Sequence, residues 1–196
     1  MCSIYKTTVK KMYNKPLLKH SFLFGSLIGG VLILAALTFY FKEVSINFNP
    51  TLLFVNRFLI VLGVFFSVKK YRDEVLFGVI SYRRASVCGI ITIGIAASYY
   101  ALFIYVLTSY FDSSILKEAI DFTEKGLVEI GYEDDQVELL MSIYRKITPG
   151  IFSFGQWFGK ALAGIFFSLI VSFFFRQNRN LFNNRSIDKF NGSNNQ

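Results

Sequence analysis

The residues of this chain that could do chemistry are few, and the two that stand out are cations inside apolar runs. Arg57 lies in the run 51–68 and Lys160 in the run 151–175, and neither run contains a carboxylate. A charge in hydrocarbon is costly, so such residues are candidates for function by default. We therefore treat Arg57 and Lys160 as a candidate intramembrane polar site. Two alternatives are open. The cations either snorkel toward the outer face or bond to Ser, Thr or Tyr hydroxyls, or they hold an anionic lipid headgroup or the acidic segment between the third and fourth spans.

Other arrangements that carry chemistry are missing from the sequence. His20 is the only histidine and stands at the entrance of an apolar run, so most hydrolytic schemes would lack a base. Cys2 and Cys88 form neither a disulfide framework nor a Cys/His metal spacing. The chain has no phosphate-binding glycine loop, HExxH or nucleophile motif. We expect a protein that is not an enzyme, with no catalytic residue, no metal and no cofactor.

The elements that must position the two cations are membrane spans. Of 196 residues, 53% are hydrophobic and only 17% are charged, which is outside the usual soluble range. A hydrocarbon core of about 30 Å needs about 20 apolar residues in a helix. The fold class that this predicts is all-α, an integral membrane four-helix bundle with a domain over 21–176. Its four spans are predicted at 21–41, 51–68, 85–111 and 151–175.

Small residues recur at four-residue spacing in the first and fourth spans. The pairs are Gly25 with Gly29 and Gly155 with Gly159. This spacing lets helices approach closely in lipid. It predicts either packing of the first span against the fourth or self-association through one of them.

The stretch 69–84, KKYRDEVLFGVISYRR, is the most distinctive part outside the spans. Its apolar residues fall at helical spacing between basic ends, which is typical of a short helix in the membrane interface; an ordinary basic turn is the other interpretation. In both interpretations the basic side chains would contact anionic lipid headgroups, and each contact would contribute about 1 kcal/mol to membrane binding. The candidate lipid contacts are Lys69, Lys70, Arg72, Arg83 and Arg84.

The segment 112–149 is the largest part outside the spans, and acids outnumber bases in it. Apolar residues keep a helical rhythm that is interrupted near Gly131. We predict an extramembrane amphipathic helical hairpin that rests on the membrane domain or on a partner.

The distribution of charge predicts an orientation. The net charge of +8 sits in short blocks beside the spans, which favours membrane topology over nucleic-acid binding. The arm 1–20 is basic, with Pro16 expected to break any helix continuing into the span, and the tail 177–196 is expected to be basic and disordered. Short basic segments stay in the cytoplasm, so we expect both termini there and the acidic hairpin across the inner membrane.

Two stretches carry a resemblance to a known family. KKYRDEVLFGVISYRRA and IGYEDDQVELLMSIYRKITPG are similar to those of a bacterial family of small four-span membrane proteins, the domain of unknown function four-one-nine-nine. The resemblance covers about residues 20–177. It implies an inner-membrane protein and carries over no activity or catalytic residue.

Two hypotheses for function follow. The first is a non-enzymatic assembly or interaction partner in a membrane complex, with the hairpin and the stretch 69–84 as contact surfaces. The second is a small oligomeric carrier or binder of ions, solute or lipid that uses Arg57 and Lys160. The partners expected are membrane lipids and either another membrane protein or a second copy of the chain.

Overall fold

A computed structural model describes the backbone of residues 2–42 and 49–175, with side chains from residue 16 onward. The predicted disordered tail and most of the loop after the first span lie outside the described residues. The described residues form six α-helices, which are α1 (Cys2–Tyr40), α2 (Pro50–Lys70), α3 (Tyr82–Val106), α4 (Ser114–Ile130), α5 (Asp134–Tyr144) and α6 (Pro149–Phe175). Short π-helical turns, Tyr71–Val75 and Leu107–Phe111, continue α2 and α3.

Four of these helical segments are long and apolar enough to cross a membrane, so the chain is a multi-pass membrane protein. The all-α class is confirmed, since the described residues form helices and no strand. The spanning segments are Pro16–Tyr40, Pro50–Val75, Tyr82–Phe111 and Pro149–Phe175. We call the end of the bundle that carries α4 and α5 the hairpin end. The opposite end, where α6 ends, is called the terminal end.

The expectation that Pro16 interrupts the first helix is wrong. The helix α1 runs through Pro16 from Cys2 to Tyr40. Proline removes one backbone N–H but fixes a φ that a helix can use, and helices in membrane proteins tolerate the lost hydrogen bond. The first span therefore begins on a helix that is already formed.

The helix α3 is the centre of the bundle, because α1 and α6 both pack along it while α2 contacts all three. Glycines bring the backbones together. A Cβ added at Gly25 of α1 would lie 2.8 Å from Ile95 Cβ of α3, and one added at Gly89 of α3 would lie 2.9 Å from Ser168 Cβ of α6. The structure thus places the first and fourth spans against the third, instead of packing the first on the fourth.

The stretch 69–84 forms no separate interfacial helix: it consists of the end of α2 with its π-helical turn, a turn at 76–81 and the first residues of α3. After the π-helical turn the backbone takes positive φ at Phe77 (51°) and Gly78 (91°), which reverses the chain before α3. Arg72 Nε lies 2.7 Å from Asp73 Oδ1, and the Arg72 guanidinium lies 5.1 Å from the ring centre of Phe175. The second contact joins the turn to the end of α6.

The predicted hairpin is confirmed, and its two helices meet at the predicted residue. The left-handed conformation of Gly131 (φ 95°) ends α4, and Tyr132 N donates to Leu127 O at 3.2 Å. Ala119, Val137 and Met141 are buried where α4 and α5 pack together, and Ile115 is buried in the core of the bundle.

Asp112 connects the hairpin to the bundle. The hydroxyl and the backbone N–H of Ser114 both donate to Asp112 Oδ1, the N–H at 2.9 Å, and Tyr40 of α1 donates to Oδ2 at 3.4 Å. The Ser114 hydroxyl is the main cause that lowers the pKa of Asp112 below its ordinary value. The carboxylate therefore stabilises the start of α4 in its charged form.

We expect Gly25→Leu to destabilise the bundle by about 1–3 kcal/mol, because the new side chain would overlap Ile95 and the Thr92 carbonyl. The matched control is Gly30→Leu on the same helix, where an added Cβ meets nothing within 4 Å. Thermal unfolding in detergent measures both. Equal melting temperatures for the two variants would contradict the close packing of α1 on α3.

Candidate functional site

A cavity of about 310 Å³ lies between α2 and α6, in the half of the bundle nearer the hairpin. Both sequence-predicted cations, Arg57 and Lys160, line it. The structure therefore brings together two residues that are a hundred positions apart in the chain. The full lining is Leu53, Asn56, Arg57, Ile60, Gly155, Gln156, Gly159, Lys160 and Ala163.

Helical spacing explains which side chains reach the cavity. Its residues on α2 recur at three or four positions, and so do those on α6, which places each set on one face of its helix. Both helices begin at the hairpin end, so the two faces run side by side in the same direction. At the terminal end the helices touch through Phe65 and Phe175, whose ring centres are 5.0 Å apart.

Two glycines make the space. A Cβ added at Gly155 or Gly159 would meet no heavy atom within 4 Å, apart from its chain neighbours and the nearby backbone of its own helix. These residues were predicted to pack helices closely, as Gly25 and Gly29 do against α3. The structure places Gly155 and Gly159 in the wall of the cavity, where the missing side chains leave room.

Lys160 is held by polar and aromatic contacts. Its Nζ lies 3.4 Å from Gln156 Oε1 and 3.8 Å from the ring centre of Tyr100 on α3. An ammonium over the face of a tyrosine ring is attracted by the ring quadrupole. The contact stabilises the cation but leaves its charge uncompensated, since neither Gln156 nor Tyr100 carries a carboxylate.

Arg57 and Asn56 complete the polar lining. Arg57 is exposed, and in residues 16–42 and 49–175 neither it nor Lys160 pairs with an acid. Asn56 is only 5% exposed and its side chain lies near the Tyr100 hydroxyl, yet its Oδ1 has no partner among the described residues. A buried acceptor without a donor costs about 1–3 kcal/mol. The cavity thus presents two positive charges and one unused acceptor.

This arrangement suits the binding of an anion. A guanidinium and an ammonium donate charge-assisted hydrogen bonds to phosphate or carboxylate oxygens, and the guanidinium can do so in a bidentate manner. The described lining holds no carboxylate, thiol, hydroxyl or imidazole that could act as a base or nucleophile. Within the described part of the chain, no group of three His, Cys, Asp or Glu side chains could hold a metal.

A second polar cluster lies nearer the terminal end and is internally paired. Ser67 Oγ and Thr92 Oγ1 are 3.1 Å apart, Thr92 donates to the Cys88 carbonyl at 2.8 Å, and Ser21 Oγ lies 3.5 Å from the same carbonyl. His20 stands beside this cluster, with Nε2 3.0 Å from the Ser67 carbonyl. These groups satisfy one another, so they join α1, α2 and α3 without presenting a free group.

Three polar residues around the cavity were not identified as site residues from the sequence. Asn56 adjoins Arg57, and Gln156 precedes Lys160 by one helical turn, so both could have been found by extending the search one turn from each cation. Nothing in the sequence marks Tyr100 as a site residue, because it lies on another helix and is one of many aromatic residues in the spans.

A family model described as a protein of unknown function (DUF4199) matches residues 23–177. The chain belongs to this family. The match includes every residue that lines the cavity. A search of curated proteins and a search of solved structures each found no match.

We expect the Asn56–Tyr100 contact to be energetically coupled. Tyr100→Phe keeps the ring under Lys160 but removes the hydroxyl near Asn56, and Asn56→Leu removes the amide near that hydroxyl, so each should cost about 1–3 kcal/mol. The double variant should cost less than the sum by about 0.5–3 kcal/mol. Denaturant unfolding in detergent measures the four proteins.

The matched control for this cycle is Tyr99→Phe, at an exposed neighbour of Tyr100 on α3. It should change stability little, alone or combined with Asn56→Leu. Additive effects of Asn56→Leu and Tyr100→Phe would show that the two side chains do not depend on each other.

Proposed function

We propose that this chain is a non-enzymatic integral protein of the inner membrane that binds an anion in the cavity between α2 and α6. One observation carries the proposal: Arg57 and Lys160 line one cavity without a carboxylate, beside a buried amide oxygen that lacks a donor. Of the two functions that the sequence leaves open, this favours the binder of ions, solute or lipid.

The energetics of charge in a bilayer support this choice. A cation at mid-membrane costs at least about 2.5–3.5 kcal/mol on insertion scales. At 1.5 Å per residue Lys160 lies about 16 Å along α6 from Pro149, and its ammonium rests on Tyr100 inside the bundle. Its charge is therefore held inside the bundle, beside the cavity. A bound anion would offset the cost that no described side chain offsets.

We expect the double variant Arg57→Gln/Lys160→Gln to lose anion binding. Each single variant should bind the anion about tenfold or more weakly, because a hydrogen bond to a charged group contributes about 1.5–3 kcal/mol. The probes are inorganic phosphate and dioleoylphosphatidylglycerol. Binding is measured on the purified protein in neutral detergent by thermal shift for phosphate and by native mass spectrometry for the lipid.

The control for this experiment is Lys117→Gln, which removes an exposed cation from α4. It should bind either probe as the unchanged protein does. Binding of neither probe by the unchanged protein, or equal binding by the double variant, would overturn the proposed function.

The distribution of charge supports an orientation with both termini in the cytoplasm. Five cations lie at the terminal end in and around the turn after α2, whereas the hairpin at the opposite end is acidic. Short basic loops are retained in the cytoplasm. The five are Lys69, Lys70, Arg72, Arg83 and Arg84, and their position suits contact with anionic lipid on that face.

A second candidate function, that of an assembly partner, has support from the hairpin. Once α4 and α5 have packed together, large apolar side chains remain exposed on their outer faces. They include Phe122, Val128, Ile130, Leu139 and Ile143. Exposed apolar surface rimmed by charge is typical of a protein or membrane contact.

One engineered cysteine tests both the orientation and this second candidate. We expect Glu138→Cys, on the exposed side of α5, to react with a membrane-impermeant maleimide in intact spheroplasts when Cys2 and Cys88 are replaced by Ser. A photo-crosslinker on that cysteine should join the hairpin to one protein in stoichiometric amount if the assembly function is correct.

The matched variant Lys70→Cys, at the terminal end, should react only after the membrane is permeabilised. The reverse labelling pattern would refute the proposed orientation. Adducts to lipid alone would count against an assembly partner at the hairpin.

A further inference from the structure

The cavity opens sideways into the bilayer. Its exposed wall consists of Leu53 and Arg57 on α2 and Gly155 and Gly159 on α6. All four lie inside segments that cross the membrane, where an exposed surface faces lipid and not water. A ligand can therefore reach the two cations between α2 and α6 from the plane of the membrane.

Exposed aromatic side chains lie on the same two helices. Phe54 and Phe58 lie on α2, with ring centres 6.5 Å apart, and Phe154 and Phe158 lie on α6, with ring centres 6.4 Å apart. All four are more than half exposed. Apolar rings beside a cationic cavity match a ligand that has a charged end and a hydrocarbon end.

The depth of Arg57 also fits a lipid. The polar zones of a bilayer occupy about 5–7 Å on each side of the hydrocarbon core. Arg57 lies about 10 Å along α2 from Pro50. If α2 begins at the outer edge of the polar zone, the Cα of Arg57 is a few ångströms below the boundary with hydrocarbon, and its long side chain can reach the level of lipid phosphates. Lys160 borders the same cavity.

The unpaired acceptor of Asn56 further restricts the kind of headgroup that fits the cavity. A phosphate diester offers oxygens to Arg57 and Lys160 but has no hydrogen to donate to Asn56 Oδ1. A headgroup that carries hydroxyl groups supplies that donor. A phosphoglycerol headgroup has both the phosphate and the hydroxyl groups, and its size suits a cavity of about 310 Å³.

We propose that the cavity holds the headgroup of an anionic, hydroxylated phospholipid that enters between α2 and α6. The phosphate contacts Arg57 and Lys160, a headgroup hydroxyl donates to Asn56, and the acyl chains lie along the exposed phenylalanines. This inference rests on the proposed function and adds the class of the anion. A free phosphate has the same anionic chemistry, so the test separates the two sources.

The test uses the full chain in phosphatidylcholine nanodiscs doped with dioleoylphosphatidylglycerol. Native mass spectrometry should detect one retained phosphatidylglycerol, bound at least fivefold more tightly than dioleoylphosphatidylmethanol, which has the same charge but no headgroup hydroxyl. Gly159→Leu should lower phosphatidylglycerol binding at least tenfold, because it fills the cavity without meeting an atom within 4 Å at its Cβ.

Gly94→Leu is the matched control, since an added Cβ there also meets nothing within 4 Å but lies on α3 outside the cavity lining. It should bind the lipid normally. Should Gly159→Leu not fold, Gly155→Leu fills the same wall from one turn away.

The outcomes separate this inference from the proposed function. Equal lipid binding by Gly159→Leu and Gly94→Leu, or equal binding of the two anionic lipids, overturns the lipid proposal. Binding of inorganic phosphate without phosphatidylglycerol overturns it as well but leaves anion binding intact. If neither inorganic phosphate nor phosphatidylglycerol binds, both the lipid proposal and the proposed function are overturned.

Discussion

The close approach of α6 to α3 is the constraint on which the rest of the structure depends. Gly164 has no side chain, and the side chain of Ile93 occupies the space that a Cβ would take there. This contact sets the register of two antiparallel helices. One turn from Gly164 toward the hairpin lies Lys160, and two turns from Ile93 in the same direction lies Tyr100. The ammonium therefore comes to rest on the tyrosine ring because of a glycine deeper in the bundle.

The bundle treats its buried polar groups in two ways. Toward the terminal end, the hydroxyls of Ser21, Ser67 and Thr92 pair with one another or with the Cys88 carbonyl. Such a paired network can hold helices together at little cost in lipid. Toward the hairpin end, Lys160 has only partial compensation and Asn56 keeps an unused acceptor. Among the described residues Ser168 Oγ is also buried without a partner, but it packs against Gly89 of α3, whereas Asn56 lines the cavity and is placed to meet a ligand.

The cavity and the hairpin lie toward the same end of the molecule. The hairpin is joined to the bundle through Asp112, which contacts Tyr40 at the end of α1. A lipid held between α2 and α6 would occupy the half of the membrane directly below it. An anion binder and an assembly partner are thus compatible functions, and the lipid would then form part of the surface that a partner meets.

The sequence by itself determined the class of the protein, because span length and apolar content follow directly from the thickness of hydrocarbon. It also determined the hairpin, since few residues other than glycine adopt the φ that Gly131 has where α4 ends. The cations were identifiable as candidates because a charge in an apolar run is costly wherever it lies. Each of these inferences depends on local composition, which a sequence contains in full.

Only the tertiary structure decided what the small residues do. Gly25 and Gly29 have the same spacing as Gly155 and Gly159, yet the first pair packs on α3 and the second lines a cavity. The physical reason is that a residue without a side chain permits either contact or space, and the neighbouring helix determines which. The same holds for the pairing of Lys160 with Tyr100, because which face of one helix meets which face of another depends on every helix in the bundle at once.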